Sequence, residues 1–359
     1  MLKKLRKEIN EIDKSMIDLI SKRIQLGNKV AEAKIEEGDH VFFRPDREQD
    51  VLNRIKELNP GELDNVRLQN IFREIMGATL DIQESFKVAY LGPKGTFTHQ
   101  AAQKKFGHSI ELKPCADFMK VFDQVQKREV KYGIVPIENS IEGIVNSTLD
   151  YLLQFDLKIY SEVHLGIHNQ LLSFAEDISS IEKIYTHRQP YGQCRNWIQK
   201  HLPVVEFHET SSTSKAVEIV AKQNNKKEAA IGSISASKVF NIPVLASNIE
   251  DYERNYTRFI IVSHETAKKA KVNRTSAMFA VHHEPGSLFE AIRPIYDGKI
   301  NMTSIESRPY RSEPWNYIFY IDLIGHHEDE AVQKALDQLK KNTPFFKNLG
   351  SYPVDEDFS

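Results

Sequence analysis

The 359-residue sequence predicts three domains: all-α over residues 1–84, α/β over 87–264, and α+β over 273–353. Three observations predict them. Apolar residues recur with helical spacing, and only helical spacing, from Leu2 into the 80s. From Lys87 short apolar runs alternate with helical stretches, the pattern of a sheet covered by helices. Beyond a Lys-rich linker, Lys268-Lys269-Ala270-Lys271, the order becomes strand, helix, strand, strand, helix, strand, a ferredoxin-like βαββαβ unit. The length agrees, because a chain of this size exceeds one ordinary core.

Apolar residues at 40% and charged residues at 27% describe a soluble globular protein. A formal net charge of -2 argues against a nucleic-acid surface built on bulk positive charge. No apolar run approaches the roughly 18 residues of a membrane span. The N-terminus is a charged amphipathic helix rather than a signal peptide, so the expected location is cytoplasmic. Cys115 and Cys194 have no Cys or His at ligand spacing and read as reduced packing residues. The pairs His282-His283 and His326-His327 read as strand neighbours pointing to opposite faces, so no metal is expected. No cofactor motif occurs in the sequence.

In the first segment Leu2, Leu5, Ile9, Ile12, Met16 and Leu19, then Leu26, Val30 and Ala33, alternate at three and four residues over several heptads. Arg23 takes the missing place in that seam. A guanidinium there is costly without an anion, which favours a bound carboxylate, although a register device and a solvated side chain are the alternatives. A break at Gly38-Asp39 and an extended Arg44-Pro45 step place a second helix at about 46–58, and Pro60-Gly61 precedes a third from about 63.

In the second segment Val88-Ala89-Tyr90-Leu91 reads as a buried strand, followed by the turn Gly92-Pro93-Lys94-Gly95-Thr96-Phe97-Thr98 and a helix. That turn is neither a P-loop nor a dinucleotide fingerprint, but its N–H groups and hydroxyls at a helix N-terminus suit a small anion. The strand over 132–137 delivers Glu138-Asn139-Ser140 to its C-terminal end, the edge where open α/β sheets bind ligands. Asn255-Tyr256-Thr257-Arg258 stands at the mouth of the apolar strand Phe259-Ile260-Ile261-Val262. A positioned Thr257 hydroxyl can protonate a leaving group, and Arg258 is able to hold a carboxylate bidentately or merely to hold Thr257 in place. Alone, the same cluster is an ordinary turn, and Asn-Tyr-Thr also fits a glycosylation pattern, a reading that a cytoplasmic location removes. In the last segment the six elements fall at about 276–283, 287–297, 302–308, 316–325, 328–341 and 346–353.

These clusters occur in the order of one known family. Residues 87–264 resemble prephenate dehydratase through Gly92 to Phe97, Pro136 to Ser140 with Gly143 and Thr148-Leu149-Asp150, Thr186 to Cys194, Ser211 to Ser214, and Asn255 to Phe259. The resemblance implies loss of carbon dioxide and water from prephenate to give phenylpyruvate, in a cleft between two lobes like those of periplasmic binding proteins. Under it Thr257 donates the proton that expels the ring hydroxyl, and Arg258 grips the side-chain carboxylate. Glu138 and Asn139 orient the hydroxyl network, Thr96 and Ser140 help to bind substrate, and His187, Gln189 and Gln193 line the facing lobe. Aromatisation supplies most of the driving force, so positioning and one proton suffice. Thr186 and Arg188 depart from the Ser and Pro common in relatives.

Residues 1–84 resemble the all-helical chorismate mutases at Leu5-Arg6, Arg23, Lys34, Arg47-Glu48, Thr79 and Gln83. The implied reaction is pericyclic and needs no nucleophile, only a grip on chorismate's two carboxylates and stabilisation of its ether oxygen. Arg6, Arg23 and Arg47 then clamp the carboxylates and Thr79 helps to bind the substrate. Lys34 and Gln83 donate to the ether oxygen, and Glu48 accepts from the ring hydroxyl. Arg44 stands near where relatives carry an Asp. At roughly 1.5 Å per residue, Arg6 lies about 25 Å from Arg23 along one straight helix, so both reach one substrate only if Arg6 comes from a second chain. An intertwined homodimer, or a higher oligomer, is expected.

Gly286-Ser287-Leu288-Phe289 and Glu306-Ser307-Arg308-Pro309 resemble the two motifs of an ACT regulatory domain. The resemblance implies phenylalanine binding at a dimer interface by Gly286, Ser287, Leu288, Glu306, Ser307 and Arg308; a structural ion pair between Glu306 and Arg308 is the alternative, and the two can coexist. The whole reads as a bifunctional, feedback-regulated enzyme of phenylalanine biosynthesis. Its expected ligands are chorismate, prephenate and phenylalanine, with no nucleic-acid or membrane partner. Two other readings remain: an arogenate or mixed cyclohexadienyl dehydratase, and a non-catalytic aromatic amino-acid sensor. Thr257, Glu138, Arg23 and Gln83 together argue against the sensor.

Overall fold

A computed structural model describes residues 1–309 and 317–355. The periodic N-terminal segment forms one long helix, α1 (Leu2–Glu36), which the chain leaves at Gly38 with φ +77°. Helix α2 (Pro45–Leu58) starts with proline in its first turn, where the missing N–H costs nothing. Helix α3 (Asn65–Gln83) is capped by Asp64, whose carboxylate accepts from Arg67 N at 2.9 Å. Helix α3 packs on both α1 and α2. The seam of α1 finds little cover within one chain: Leu5, Ile9, Ile12, Met16, Leu19, Leu26 and Val30 are all exposed.

The α/β segment forms two lobes. The first holds β1 (Lys87–Leu91), β2 (Glu111–Cys115), β3 (Tyr132–Asn139), the short β4 (Gly143–Ile144), β5 (Lys158–Gly166) and the later β11 (Tyr256–Ser263), in the order β2-β1-β3-β11-β5 with β4 on β3. Helices α4 (Phe97–Phe106), α5 (Phe118–Gln126) and α6 (Asn146–Gln154) pack on it. The second lobe holds β6 (Gln170–Leu172), β7 (Lys183–Thr186), β8 (Glu206–Glu209), β9 (Glu228–Gly232) and β10 (Val244–Ala246), in the order β10-β6-β9-β7-β8. It carries α7 (Arg188–Gln193), α8 (Arg195–His201), α9 (Thr213–Gln223) and α10 (Ile234–Phe240). The chain crosses between lobes twice, after β5 and before β11. Thr257, the second residue of β11, therefore sits at one crossing.

The third unit holds β12 (Asn273–Val281), α11 (Ser287–Asp297), β13 (Met302–Pro309), β14 (Tyr317–Ile324), α12 (Glu330–Asn342) and β15 (Phe345–Pro353). This is the expected order of elements, with bounds within three residues of those read from the sequence; Asn316, where the fourth was expected to start, lies outside the described residues. Its antiparallel sheet runs β13-β14-β12-β15. The apolar face bearing Ala277, Phe279 and Ile321 is covered by α11 and α12.

The opposite face is fused to the first lobe, so the Lys-rich stretch does not separate two independent bodies. Leu349, Tyr352, Met278 and Tyr320 share one core with Ile159 and Tyr160 of β5. Gly350 adopts φ +128°, and a Cβ there would stand 2.6 Å from Ile159 O, so the approach of β15 to β5 requires glycine. Lys347 Nζ donates to Leu152 O at 2.8 Å and Phe155 O at 2.6 Å, satisfying carbonyls at the end of α6. Among the described residues no helix is long and apolar enough to cross a membrane.

Candidate active sites

The three N-terminal helices enclose a cavity of about 590 Å³. Residues scattered over 60 positions of sequence line it together: Arg23 and Lys34 from α1, Arg47 and Glu48 from α2, Thr79 and Gln83 from α3. All six had been singled out from the sequence. Arg23 Nη1 donates to Thr79 Oγ1 at 3.4 Å, and Thr79 in turn donates to Ile75 O at 2.7 Å. Burial lowers the pKa of Arg23, and neighbouring Arg54 and Arg47 lower it further. Burial followed by the charge of Arg44 does the same for Lys34. Cations crowded into a half-buried cavity repel one another, and a dianion relieves that repulsion. Arg54 was missed by the sequence reading, although it stands two turns beyond Arg47 on the same face of α2. Arg6 lies far along the exposed part of α1 and does not line this cavity. Arg44 does line it, paired with Asp39 at 3.2 Å.

The second centre forms where β3 ends beside the start of β11. Asn139 pairs with Thr257 and Glu138 with Arg258 in the antiparallel register. Successive residues of a strand face opposite ways, so the two pairs serve different faces of the sheet. On one face Asn139 Nδ2 donates to Thr257 Oγ1 at 2.9 Å and to Asn255 Oδ1 at 2.8 Å. The Asn139 carbonyl is fixed by N–H donation from Ile141 at 3.0 Å and Glu142 at 3.1 Å. With Thr257 Oγ accepting from the amide, its own hydrogen is left to be given away. The network continues into the second lobe: Gln193 Oε1 accepts from Asn255 Nδ2 at 3.3 Å and from Asn169 Nδ2 at 3.4 Å, while Gln193 Nε2 donates to Glu142 at 3.0 Å. Asn169 and Glu142 had carried no signal of their own, although Glu142 lies inside the Glu138 to Gly143 motif.

Four expectations for this centre need correction. Arg258 does not face Thr257: its guanidinium is buried against Asp322 at 2.7 Å, Glu138 at 3.1 Å and Glu162 at 3.5 Å, leaving no room for a substrate carboxylate. Glu138, itself partly exposed, pairs with Arg258 at the rim of that group and does not belong to the Thr257 network. The Thr96 hydroxyl is occupied, donating to Leu91 O at 3.0 Å and accepting from His99 N at 3.2 Å as the cap of α4. Ser140 Oγ likewise ties the strand ends, donating to Arg254 O at 3.2 Å and accepting from Tyr256 N at 2.9 Å. His187 caps α7, with Nδ1 accepting from Gln189 N at 3.4 Å, and Gln189 is exposed beside it. Of the departures in that loop, Thr186 is buried and donates to Ile231 O at 3.0 Å, while Arg188 is exposed. The two lobes also meet at the Gly92 to Thr98 turn, where Ser214 donates to Lys94 O and Ser233 donates to Gly95 O at 2.7 Å. Gly95 has φ +86°, and a Cβ there would lie 3.0 Å from Ala236 Cα.

In the third unit Gly286, Ser287 and Leu288 line a cavity of about 560 Å³ with Phe289 and Tyr317. Glu306 and Ser307 lie on the edge strand β13 and do not line it, so one chain does not bring the two motifs together. Arg308 is held instead by the first lobe, Nη2 donating to both oxygens of Asp150 at 2.9 and 3.0 Å. His326 and His327 fall in the turn before α12 rather than on a strand, and with Glu328 they bring three ligand-type atoms within 4.8 Å. Both rings already have partners there: His326 Nδ1 accepts from Glu328 N at 3.2 Å and His327 Nδ1 meets Ser351 Oγ at 2.9 Å. Cys115 and Cys194 are free and buried, as expected of packing residues.

Family models for chorismate mutase type II and prephenate dehydratase match residues 5–84 and 88–267. The bifunctional chorismate mutase/prephenate dehydratase of Aquifex aeolicus is 42% identical over 356 residues, 98% of each chain. A prephenate dehydratase from Arthrobacter aurescens, solved in complex with L-Phe, superposes with a TM-score of 0.70 at 31% identity, covering 75% of this chain and 90% of that one. A structure described as a novel type of quorum quenching acylase gives a TM-score of 0.69 at 25% identity, covering 76% and 99%. A shared fold therefore does not fix an activity, and the side chains must. Cavity and lobe boundary together define an enzyme with two separate centres, a cationic cavity among helices and a network of amides around the Thr257 hydroxyl between two α/β lobes. The chain belongs to the bifunctional chorismate mutase/prephenate dehydratase family.

Proposed function

We propose that the helical unit, residues 1–84, rearranges chorismate to prephenate, and that the two-lobed unit, residues 87–264, converts prephenate to phenylpyruvate, carbon dioxide and water. The observation that carries this reading is the convergence of Arg23, Lys34, Arg47, Glu48, Thr79 and Gln83 on one cavity. There Arg23 and Arg47 hold carboxylates, Lys34 and Gln83 stabilise the ether oxygen, and Glu48 accepts from the ring hydroxyl, which fixes a reactive conformation without covalent chemistry. Arg6 of a second copy completes the clamp in a homodimer, and the uncovered seam of α1 supports that assembly. In the cleft Thr257 gives its proton to the departing ring hydroxyl as the carboxylate leaves, with Asn139 holding Thr257 and with His187, Gln189 and Gln193 on the facing lobe.

Residues 273–353 act as an ACT domain with a ferredoxin-like fold, supported by the βαββαβ order and by the strand order β13-β14-β12-β15. Phenylalanine bound between Gly286-Ser287-Leu288 of one copy and Glu306-Ser307 of another feeds back on the dehydratase; the L-Phe complex of the Arthrobacter relative supports the ligand. The test supplies purified protein with chorismate and follows prephenate and phenylpyruvate, with and without phenylalanine, and repeats the second step with arogenate. Both products should form from chorismate, and phenylalanine should slow the second step. Formation of neither product ends the reading, and preference for arogenate reassigns the cleft.

A further inference from the structure

We propose that Lys105, which belongs to the dehydratase lobe, is a positioning residue of the mutase centre. The proposal rests on the reading of Glu48 as acceptor for the substrate's ring hydroxyl. Helix α4 begins at the lobe-to-lobe turn capped by Thr96 and ends at the helical cavity, which Lys105 and Phe106 line. Lys105 Nζ stands 2.7 Å from Glu48 Oε2, and each side chain is only 12% exposed. Such a pair is far less screened than a surface ion pair.

The geometry around the pair makes it a fixed feature. Lys105 Nζ lies 5.7 Å above the centre of the Phe43 ring. Phe43 belongs by sequence to the helical unit but is buried in the core of the first lobe, its ring 5.0 Å from that of Phe106 and 5.4 Å from that of Tyr132. Tyr160 Oη donates to Phe43 O at 2.5 Å. The loop that launches α2 is thus clamped by the dehydratase, and Glu48 lies in the first turn after that clamp. Glu48 also shares the cavity with Arg23, Arg44, Arg47 and Arg54. A carboxylate among so many guanidinium groups has several competing partners and no single orientation. The ammonium of Lys105 takes Oε2, leaving Oε1 to meet the substrate and the arginines to meet its carboxylates. The mutase centre is therefore completed from outside the mutase sequence.

The test uses full-length Lys105→Met, Lys105→Arg, Glu48→Gln and the Lys105→Met/Glu48→Gln double variant, assayed separately on chorismate and on added prephenate. Lys105→Met is expected to lower mutase kcat about tenfold with KM nearly unchanged, since Lys105 touches Glu48 and not the substrate. Lys105→Arg should restore most of the rate. The double variant should be no slower than Glu48→Gln, because the two act as one unit. Dehydration of added prephenate should stay at the wild-type rate in all four. Wild-type mutase kinetics in Lys105→Met alongside an impaired Glu48→Gln overturns the proposal and leaves the reading of Glu48 standing. Additive losses overturn it in favour of direct contact with substrate, and parallel loss of both activities overturns it in favour of a packing role. An unimpaired Glu48→Gln removes the reading of Glu48 and the proposal with it.

Discussion

Arg258 Nη2 stands 2.7 Å from Asp322 Oδ2, joining the strand that carries Thr257 to the interior of the C-terminal sheet. Arg274 bridges the same carboxylate at 3.4 Å and Glu162 at 3.2 Å, and Ser276 and Tyr320 donate to Asp322 Oδ1 at 2.5 and 2.6 Å. Burial alone raises the pKa of Asp322, but Arg258 and Arg274 more than offset this and hold it below the usual carboxylate range. Removing one member leaves a buried charge uncompensated, so Arg258→Gln or Asp322→Asn should destabilise the fold by about 3 kcal/mol or more. Chemical denaturation of each variant measures this, and an unchanged midpoint would show that the network carries no stability.

The same pair ties the third unit to the first lobe. Deleting residues 273–359 would strip Arg258 and Glu162 of Asp322 and Arg274 and uncover β5, so lost regulation would mean little. A point change on the exposed edge is cleaner. Glu306→Ala should keep both activities and raise the phenylalanine concentration needed for half-inhibition at least about tenfold, as expected for loss of an ion pair to the ligand. Unaltered inhibition would remove Glu306 from the site.

Arg23→Ala should reduce chorismate consumption about a hundredfold or more, since a carboxylate clamp in a half-buried cavity is lost. Added prephenate should still be dehydrated at the wild-type rate. A fall in both rates would mean that the two centres are not separable.

His99, buried against Tyr90 in the first lobe, supplies a pH test. Burial, and then the charge of Lys94, lower its pKa from 6.5 to about 4. The unfolded chain therefore binds this proton more readily, and the contribution to stability is complete above pH 6.5 and lost as the pH falls toward 4. The gap corresponds to on the order of 3 kcal/mol. Denaturation at pH 7 and pH 4.5 should show His99→Gln losing less stability than wild type across that interval; identical losses would mean that His99 is not the titrating group.

Much of this was legible in the sequence because periodicity and motif order are local properties. The 3-4 spacing over α1, the proline entering α2 and the βαββαβ order are written in neighbouring residues, and the structure follows them closely. The mutase cavity was legible because its residues matched a known spacing. Contacts between units were not. Lys105 and Phe43 look like an ordinary helix lysine and a loop phenylalanine until the first lobe meets the helices. Arg258 was misread because a guanidinium beside a candidate proton donor suggests a ligand clamp, whereas its partner, Asp322, lies 64 positions away. One signal was there to be weighed: an Asp inside the otherwise apolar run Ile318 to Ile324 needs a buried cation.

The central claim is that one chain carries two separable centres, with Thr257 as the proton donor of the second. Thr257→Ala supplied with chorismate tests it most directly. Chorismate should disappear at the wild-type rate, prephenate should accumulate, and phenylpyruvate formation should fall by about a hundredfold or more. Phenylpyruvate appearing at the wild-type rate, or an equal loss of both steps, would contradict it.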